Sequence, residues 1–421
     1  MINIAICDDE KYISDKVKKL ALDFFHRKNV KIKISQFGSG EELLRYNKSI
    51  DILFLDIQMD GIDGMETARK LRSQNYKGYL IFITVFTVVL AARAKNPVKI
   101  VTIGGGGVAV SVNNQMSYQQ MVDQMIDYWQ RQLSKVLLHK PDLILLTEAC
   151  DRPSGLTTAE QFEYYKVRKD QVKDYLASVA KDNHCYIAFG TKREENGSWW
   201  NSCILLDRRG KVAGIYNKNF PTIQEMNEIM PSDEAELLLC DFGTVACAVC
   251  FDLNFDELRE RYAQQKPDII LFPSMYHGGL EQSKWAYSCQ AYFVCAYGFL
   301  NAPSEIRNPL GEMVASSTNY YNYAVATVNL DRKLVHLDNN WEKLTALKRK
   351  YGDFVSISDP GRIGAVMITS EHDSISADRM IDEFDIQLLD DYFNQSRAVR
   401  EQKLIKAPAK DAIDEYRKHN K

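Results

Sequence analysis

The sequence repeats a short apolar segment: KPDLILL at residues 140–146 returns as KPDIILF at residues 266–272. Each copy follows a helical pattern, at 117–138 and at 256–265, and each is typical of a buried strand because its apolar residues run without interruption. Two similar helix–strand halves can bury their strands by facing each other. The repeat therefore predicts a four-layer α-β-β-α sandwich, with two sheets packed face to face and helices outside.

A second, smaller α/β pattern precedes this region. Over residues 1–86, apolar runs alternate with helical patterns in the order 2–6, 10–27, 30–34, 40–47, 52–55, 64–73 and 79–85. This rhythm predicts a partial doubly wound parallel sheet. We therefore expect a partial domain over 1–86, a junction over 87–96, a larger domain over 97–395 and a charged tail over 396–421.

Three acidic side chains stand at the carboxyl ends of strands in the first domain. Asp8 and Asp9 follow the first strand, and Asp56 ends the third. The carboxyl ends of parallel strands share one crevice at the edge of an open sheet. Carboxylates clustered there repel one another unless a divalent cation such as Mg²⁺ binds between them. The pattern therefore indicates a Mg²⁺ site.

The first domain resembles the receiver domain of two-component response regulators. The matching segments are CDDE at 7–10, LDIQMDGIDG at 55–64 and IFIT at 81–84. The resemblance implies that Asp56 accepts a phosphoryl group from a histidine kinase. It also implies that Asp8 and Asp9 hold Mg²⁺ together with Asp56, and that Thr84 senses the phosphoryl group.

The receiver pattern breaks off after Thr84. A receiver continues with a fourth helix, a fifth strand that opens on Lys-Pro and a fifth helix, but only residues 85–96 precede the next domain. Without the last strand, one edge of the sheet is open. We therefore expect a truncated, vestigial receiver in which phosphorylation is impaired.

In the second domain, a carboxylate, an ammonium and a thiol each follow a predicted strand. These groups belong to Glu148, Lys218 and Cys250. Acyl transfer to a cysteine needs all three, because the thiol attacks, the carboxylate takes and returns the proton, and the cation stabilises the developing negative charge. The combination predicts a cysteine-dependent hydrolase.

This domain resembles the nitrilase, or carbon-nitrogen hydrolase, superfamily over almost all of residues 97–395. The three signature sites match LLTE at 145–148, YNKNFPT at 216–222 and CAVCFD at 247–252. The resemblance implies that Glu148 is the general base, that Lys218 binds the oxyanion and that Cys250 is the nucleophile.

The same resemblance implies a second glutamate beyond the lysine. Glu225 is the best placed, and Glu228 is a weaker candidate. The backbone N–H of Phe251 is expected to help bind the oxyanion. The resemblance also implies a hydrolase that needs no cofactor and that forms a homo-oligomer.

Composition argues against several other classes of protein. Lys and Arg (53) nearly balance Asp and Glu (56), which gives no basis for a general affinity for nucleic acid or anionic membranes. The longest apolar run, 79–92, is shorter than the roughly 20 residues of a spanning helix. The nine cysteines are an odd number and lack the spacing of a disulfide-bonded scaffold, which indicates reduced thiols. We therefore expect a cytoplasmic protein.

We therefore predict an amidase that hydrolyses a small-molecule amide and releases ammonia or an amine. A nitrilase acting on a nitrile would use the same three residues, so this alternative stays open. The alternative from another class is a phosphorelay response regulator, in which phosphorylation of Asp56 controls the C-terminal domain.

Overall fold

The chain forms two compact units, Met1–Ala91 and Ala92–Lys421. The computed structural model describes residues 2–9, 14, 17–18, 21–22, 25, 30–56, 59, 61–74, 76–83, 95–105, 110–112 and 115–405.

The first unit contains a parallel sheet with the strand order β2-β1-β3-β4. Its elements, in chain order, are β1 (Ile2–Cys7), β2 (Ile32–Phe37), α1 (Gly40–Leu44), β3 (Ile52–Asp56), α2 (Gly64–Ser73) and β4 (Tyr79–Ile83). Ser39 and Asp63 cap the two helices by accepting hydrogen bonds from backbone N–H groups. The sheet agrees with the prediction, whereas Thr84 and the segment where a fifth strand would begin lie outside the described residues.

The second unit is built mainly from two six-stranded sheets. Its elements up to the end of these sheets are β5 (Pro97–Ile103), α3 (Tyr118–Val136), β6 (Leu143–Leu145), α4 (Thr158–Arg168), α5 (Gln171–Asp182), β7 (Tyr186–Glu195), β8 (Ser198–Leu206), β9 (Val212–Asn217), β10 (Leu238–Cys240), β11 (Gly243–Cys247), α6 (Asp256–Gln265), β12 (Ile269–Ser274), α7 (Leu280–Cys289), β13 (Tyr292–Tyr297), β14 (Glu305–Arg307), β15 (Met313–Ser316) and β16 (Tyr323–Asn329).

The two sheets pack against each other through a shared core. One has the order β16-β5-β6-β7-β8-β9 and the other β10-β11-β12-β13-β14-β15, and the two repeated segments form β6 and β12. Buried side chains from both sheets, such as Leu143, Leu145, Ile269 and Leu271, belong to one apolar cluster. Helices α3, α4 and α5 cover the first sheet through a second cluster. The predicted four-layer sandwich is confirmed.

Helix α3 shows how the sequence produces the outer layer. Ser117 and Gln120 form a capping box at its start. Met121, Met125 and Trp129 then lie on one buried stripe, because residues four apart share a helix face.

The sequence over 159–181 predicts a single helix. This prediction is wrong, because the structure divides the segment into α4 and α5. The break occurs at Lys169, whose φ of 44° does not fit a helix. It lets the preceding Arg168 turn inward, where its guanidinium lies 2.5 Å from Asp151 and both side chains are buried.

A small third sheet follows the sandwich. Its elements are β17 (Arg332–His336), α8 (Trp341–Tyr351), β18 (Val355–Ser358), β19 (Ala365–Ser370), α9 (Ala377–Glu383) and α10 (Leu389–Ile405). The strand order is β17-β19-β18, and a separate apolar cluster lies between this sheet and its helices. In the described part of the chain, none of the helices has the length and apolar character needed to cross a membrane.

Candidate active site

The three predicted site residues follow three different strands of the sandwich. Glu148 lies just past β6, Lys218 directly follows β9, and Cys250 begins a 3₁₀ turn (Cys250–Asn254) beyond β11. The first two strands belong to one sheet and the third to the facing sheet. One sheet therefore positions Glu148 and Lys218, and the facing sheet positions Cys250.

The Glu148 carboxylate is held on both oxygens. Oε1 accepts hydrogen bonds from Asn201 Nδ2 at 2.8 Å and from Lys218 Nζ at 3.1 Å, and Oε2 accepts one from the backbone N–H of Met275 at 3.0 Å. Only 6% of the residue is exposed. Because Met275 belongs to the other sheet's side of the sandwich, this carboxylate connects the two layers.

Gly190 makes the position of Glu148 possible. A Cβ on Gly190 would lie 2.6 Å from Glu148 Cα and 2.9 Å from Thr147 O, both of which are backbone atoms. The backbone also pairs here, since Gly190 N donates to Thr147 O at 3.1 Å. A side chain at residue 190 would push the glutamate out of place.

Lys218 is a buried ammonium between two carboxylates. Its Nζ lies 3.1 Å from Glu148 Oε1 and 2.9 Å from Glu225 Oε2, and the residue is 1% exposed. Burial acts to lower the pKa of Lys218, but the charges of Glu148, Cys250 and Glu225 outweigh it and raise that pKa above its usual value. The lysine therefore stays charged.

Glu225 fixes the lysine from the other side. Its carboxylate accepts hydrogen bonds from Lys218, from Asn201 Nδ2 at 3.1 Å and from the backbone N–H of Thr222 at 2.8 Å. Burial acts to raise the pKa of Glu225, yet Lys218 and these donors lower it overall. Glu228, the weaker candidate, instead pairs with Lys192 at 2.9 Å.

Cys250 occupies a tight turn with a positive φ of 50°, a strained conformation for a residue with a Cβ. Burial and the Glu148 carboxylate raise the pKa of the Cys250 thiol, while Lys218 and a hydrogen bond from Ser274 act to lower it. The net shift is upward, so the resting thiol keeps its proton. Phe251 follows in the turn and is 36% exposed.

Asp252 ties the Cys250 turn to the Lys218 loop. Its side chain accepts hydrogen bonds from Val249 N at 2.8 Å, Phe220 N at 2.7 Å and Tyr216 Oη at 2.7 Å. The residue is completely buried. Burial raises the pKa of Asp252 to about 6, although the backbone donors act in the opposite direction.

Sequence reasoning missed Asn201, Gly190 and Asp252. Asn201 had a usable signal, because an amide in the apolar run of β8 needs hydrogen-bond partners once buried. Asp252 stood two residues from the predicted nucleophile. Gly190 gave no comparable signal, since its role depends on how closely β7 approaches the Glu148 turn.

The acidic residues predicted in the first unit also come together. Oxygen atoms of Asp8, Asp9 and Asp56 all lie within 4.8 Å of one another. Oxygen-rich clusters of this size suit a hard divalent cation such as Mg²⁺. The predicted switch residue, Thr84, is outside the described residues.

Each of the two units matches the sequence profile of a known family. The sequence profile of carbon-nitrogen hydrolases matches residues 107–346, which is more than half of the 421-residue chain. The chain belongs to the carbon-nitrogen hydrolase family. The profile of the response regulator receiver domain matches residues 4–96, so the first unit is a receiver domain. Both predicted resemblances are confirmed, and the carbon-nitrogen hydrolases are enzymes.

Individual relatives are distant. Omega-amidase NIT2 of Homo sapiens is 22% identical over 223 residues, covering 49% of this chain and 80% of that protein. Nitrilase homolog 2 of Dictyostelium discoideum is 21% identical over 212 residues, covering 47% and 64%. Among solved structures, an amidase from Nesterenkonia sp. has 15% identity and a TM-score of 0.47, covering 62% of this chain and 97% of that chain.

The close approach at Gly190 yields a first prediction. The substitution Gly190→Ala should reduce carbon-nitrogen hydrolase activity by about 10²-fold, because displacing a reacting group by an ångström has an effect of that order. Kinetics of ammonia release from primary amides would measure the loss. Gly38→Ala is the matched control, since its added Cβ would find the nearest atom at 3.9 Å. Full activity of Gly190→Ala would contradict the proposed constraint.

The buried Asp252 yields a second prediction. Asp252→Asn should destabilise the fold by about 1–3 kcal/mol, because at least one of the three donors loses its acceptor. The folded pKa of about 6 exceeds the ordinary value of 3.8, so wild-type stability from this group rises as the pH falls from 6 towards 3.8. The asparagine of the variant does not titrate, so the free energy of unfolding of the variant does not receive this increase at low pH.

Urea unfolding of both proteins at pH 7 and pH 4.5 would measure this difference. The free energy of unfolding of the wild type should exceed that of Asp252→Asn by more at pH 4.5 than at pH 7. Asp127→Asn, at an exposed position on α3, is the control, and its free energy of unfolding should match that of the wild type at both pH values. If the difference in free energy of unfolding between wild type and Asp252→Asn became smaller at pH 4.5, the inferred upward shift of the Asp252 pKa would be contradicted.

Proposed function

We propose that the C-terminal unit is a cysteine-dependent amidase that hydrolyses a small-molecule amide through an acyl-cysteine intermediate. The main support is the buried ammonium of Lys218, which is bonded to Glu148 and Glu225 in the same cluster that contains the Cys250 thiol. A base, a cation and a nucleophile whose charges influence one another in one buried cluster are the groups that acyl transfer needs.

The first step forms the carbon–sulfur bond. Glu148 accepts the thiol proton of Cys250 as the sulfur attacks the amide carbonyl carbon. Because the resting thiol is protonated, transfer of the proton accompanies the attack. The carbonyl oxygen becomes an oxyanion, and Lys218 Nζ and the backbone N–H of Phe251 stabilise its charge.

The second step breaks the carbon–nitrogen bond. Glu148, now protonated, returns its proton to the nitrogen, and ammonia or an amine leaves. The acyl group stays on Cys250. A water molecule then gives a proton to Glu148 and attacks the thioester carbon. The carbon–sulfur bond breaks, the carboxylic acid leaves, and Glu148 returns the proton to the sulfur to restore the thiol.

Glu225 and Asn201 act as positioning residues in this scheme. Glu225 keeps Lys218 charged and oriented after the proton has moved onto Glu148. Asn201 Nδ2 donates to both carboxylates, at 2.8 and 3.1 Å, and thereby fixes their positions relative to each other.

The curated relatives favour an amide over a nitrile as the substrate. The human relative is named an omega-amidase, while the Dictyostelium relative is named a nitrilase homolog. A nitrile would meet the same three residues, and the two substrates would be distinguished by their rates in one assay.

The receiver domain supports a second candidate function, as a phosphorelay response regulator. Asp8, Asp9 and Asp56 provide oxygen ligands that fit Mg²⁺, which would neutralise charge when a phosphoryl group binds. In that case Asp56 would be the phosphoacceptor for a histidine kinase. We propose instead that the receiver is vestigial and that the amidase works without it.

The amidase proposal predicts that Cys250→Ala lowers ammonia release from primary amides by at least about 10³-fold. Intact mass measurement should find an acyl adduct on the wild type but not on this variant. Cys240→Ala is a matched control, because Cys240 is also partly buried and free but lies in another part of the unit. Undiminished release by Cys250→Ala, or an adduct on it, would refute the assignment.

The independence of the two units gives a further prediction. Asp56→Ala should retain ammonia release within about twofold, and acetyl phosphate with Mg²⁺ should not change the rate of the wild type. The response regulator alternative predicts a labelled Asp56, no label on Asp56→Ala and an altered rate. The same preparation, assayed by mass and by ammonia release, decides between the two.

A further inference from the structure

The side-chain amide of Asn201 has one buried atom that the catalytic cluster does not use. Its Nδ2 donates to Glu148 Oε1 at 2.8 Å and to Glu225 Oε1 at 3.1 Å, which occupies both of its hydrogens. Its Oδ1 is buried and accepts no hydrogen bond from the described residues, and only 3% of the residue is exposed. A buried acceptor without a donor is costly, so this oxygen favours a bound molecule with an N–H or O–H group.

The two carboxylates determine which way the amide faces. If the group were turned over, Oδ1 would point at the negatively charged oxygens of Glu148 and Glu225, and two hydrogen bonds would be replaced by repulsion. The oxygen without a partner is therefore Oδ1 and not the nitrogen, and the group that it can bind is a donor.

This acceptor lies inside the catalytic cluster. Asn201 and Cys203 are two residues apart on β8, so their side chains share one face of the strand. Cys203 belongs to the apolar core between the sheets, and Cys250 packs against the same core. Because an amide is planar and Nδ2 bonds Glu148, Oδ1 is also only about 4–5 Å from Glu148 Oε1. It is thus close to the carboxylate that exchanges the proton.

The spacing of these two oxygens suits the nitrogen of a carboxamide. A nitrogen that lies about 2.9 Å from each of two oxygens in a normal hydrogen-bond geometry holds them roughly 5 Å apart. The nitrogen is the part of a carboxamide that carries hydrogens to donate, whereas the carbonyl oxygen is an acceptor and is stabilised by Lys218. A substrate placed in this way would meet Asn201 Oδ1 and Glu148 with its leaving group.

We propose that Asn201 Oδ1 accepts a hydrogen bond from the nitrogen of the scissile amide and thereby turns the lone pair of that nitrogen towards Glu148. This inference rests on the proposed amidase function. The bonds made and broken stay the same, since Glu148 returns the thiol proton to the nitrogen before the carbon–nitrogen bond breaks. The substrate class is carboxamides with at least one N–H, in preference to esters, tertiary amides and nitriles, which lack this donor.

The test compares propionamide with methyl propanoate, and release of propanoate measures both reactions. Both substrates form the same propionyl-cysteine, so their kcat/KM values differ only in the steps up to loss of ammonia or methanol. Wild type should have the higher kcat/KM for propionamide, although an ester is the more reactive acyl donor in solution. If another primary amide releases ammonia faster, the pair becomes that amide and its methyl ester.

Two variants of the full-length protein separate the acceptor from the donor. Asn201→Ala removes both, and the ratio of kcat/KM for the amide to that for the ester should fall by at least about 10-fold, because only the amide loses a buried hydrogen bond. Asn201→Asp loses Nδ2 but keeps an oxygen acceptor, since a third carboxyl group in this cluster takes up a proton. It should slow both substrates while the ratio stays within about threefold of the wild-type ratio.

Disturbance of the cluster alone should not change the ratio. Gly190→Ala displaces Glu148 and is the matched control, because it should slow the amide and the ester alike. Asn201→Leu removes both polar atoms with little change in volume, and it replaces Asn201→Ala if circular dichroism shows that the alanine variant is unfolded. The comparison of the two substrates on the wild type needs no variant.

The outcomes distinguish the two proposals. An unchanged ratio in Asn201→Ala, or a higher kcat/KM for methyl propanoate than for propionamide in the wild type, would refute the contact with the nitrogen while the amidase stands. A water molecule on Oδ1 would leave the ratio unchanged, because water reacts after both substrates have formed the same intermediate. If no tested amide releases ammonia, the proposed function itself fails.

Discussion

The candidate active site depends on a charged ammonium held almost completely out of water. Moving a charge into a protein interior costs several kcal/mol, which is recovered only with well-placed partners. Lys218 has two such partners, and both carboxylates are themselves bonded by Asn201. Removing one member of a buried pair typically costs about 3–5 kcal/mol. The cluster is therefore a unit, in which each group requires the others.

This requirement explains the surrounding architecture. Glu148 needs the close approach of Gly190, and it also receives a hydrogen bond from Met275 on the facing side of the sandwich. Asp252 joins the turn of the nucleophile to the loop of the lysine. The α-β-β-α arrangement supplies rigid strand ends from two sheets, and a few buried hydrogen bonds connect them into a single site.

Much of this could be predicted from the sequence, but in different degrees for different features. Uninterrupted apolar runs predicted the strands, and the polar residues just past their ends included Glu148, Lys218 and Cys250. The strands before Glu148 and Cys250 pair in parallel with a neighbour, whereas β9, before Lys218, pairs antiparallel. The contacts of Asn201 and Gly190 depend on strand register and on the approach of neighbouring turns, which no local pattern encodes. Likewise, the break at Lys169 accompanies the burial of Arg168 against Asp151, a tertiary contact that helical periodicity does not encode.

The protonated state of the Cys250 sulfur has a chemical consequence beyond hydrolysis. Oxidants and alkylating reagents attack the thiolate and react slowly with the neutral thiol. Burial and a neighbouring carboxylate favour the neutral thiol at Cys250, so the same environment that delays ionisation of the sulfur also disfavours its reaction with peroxide.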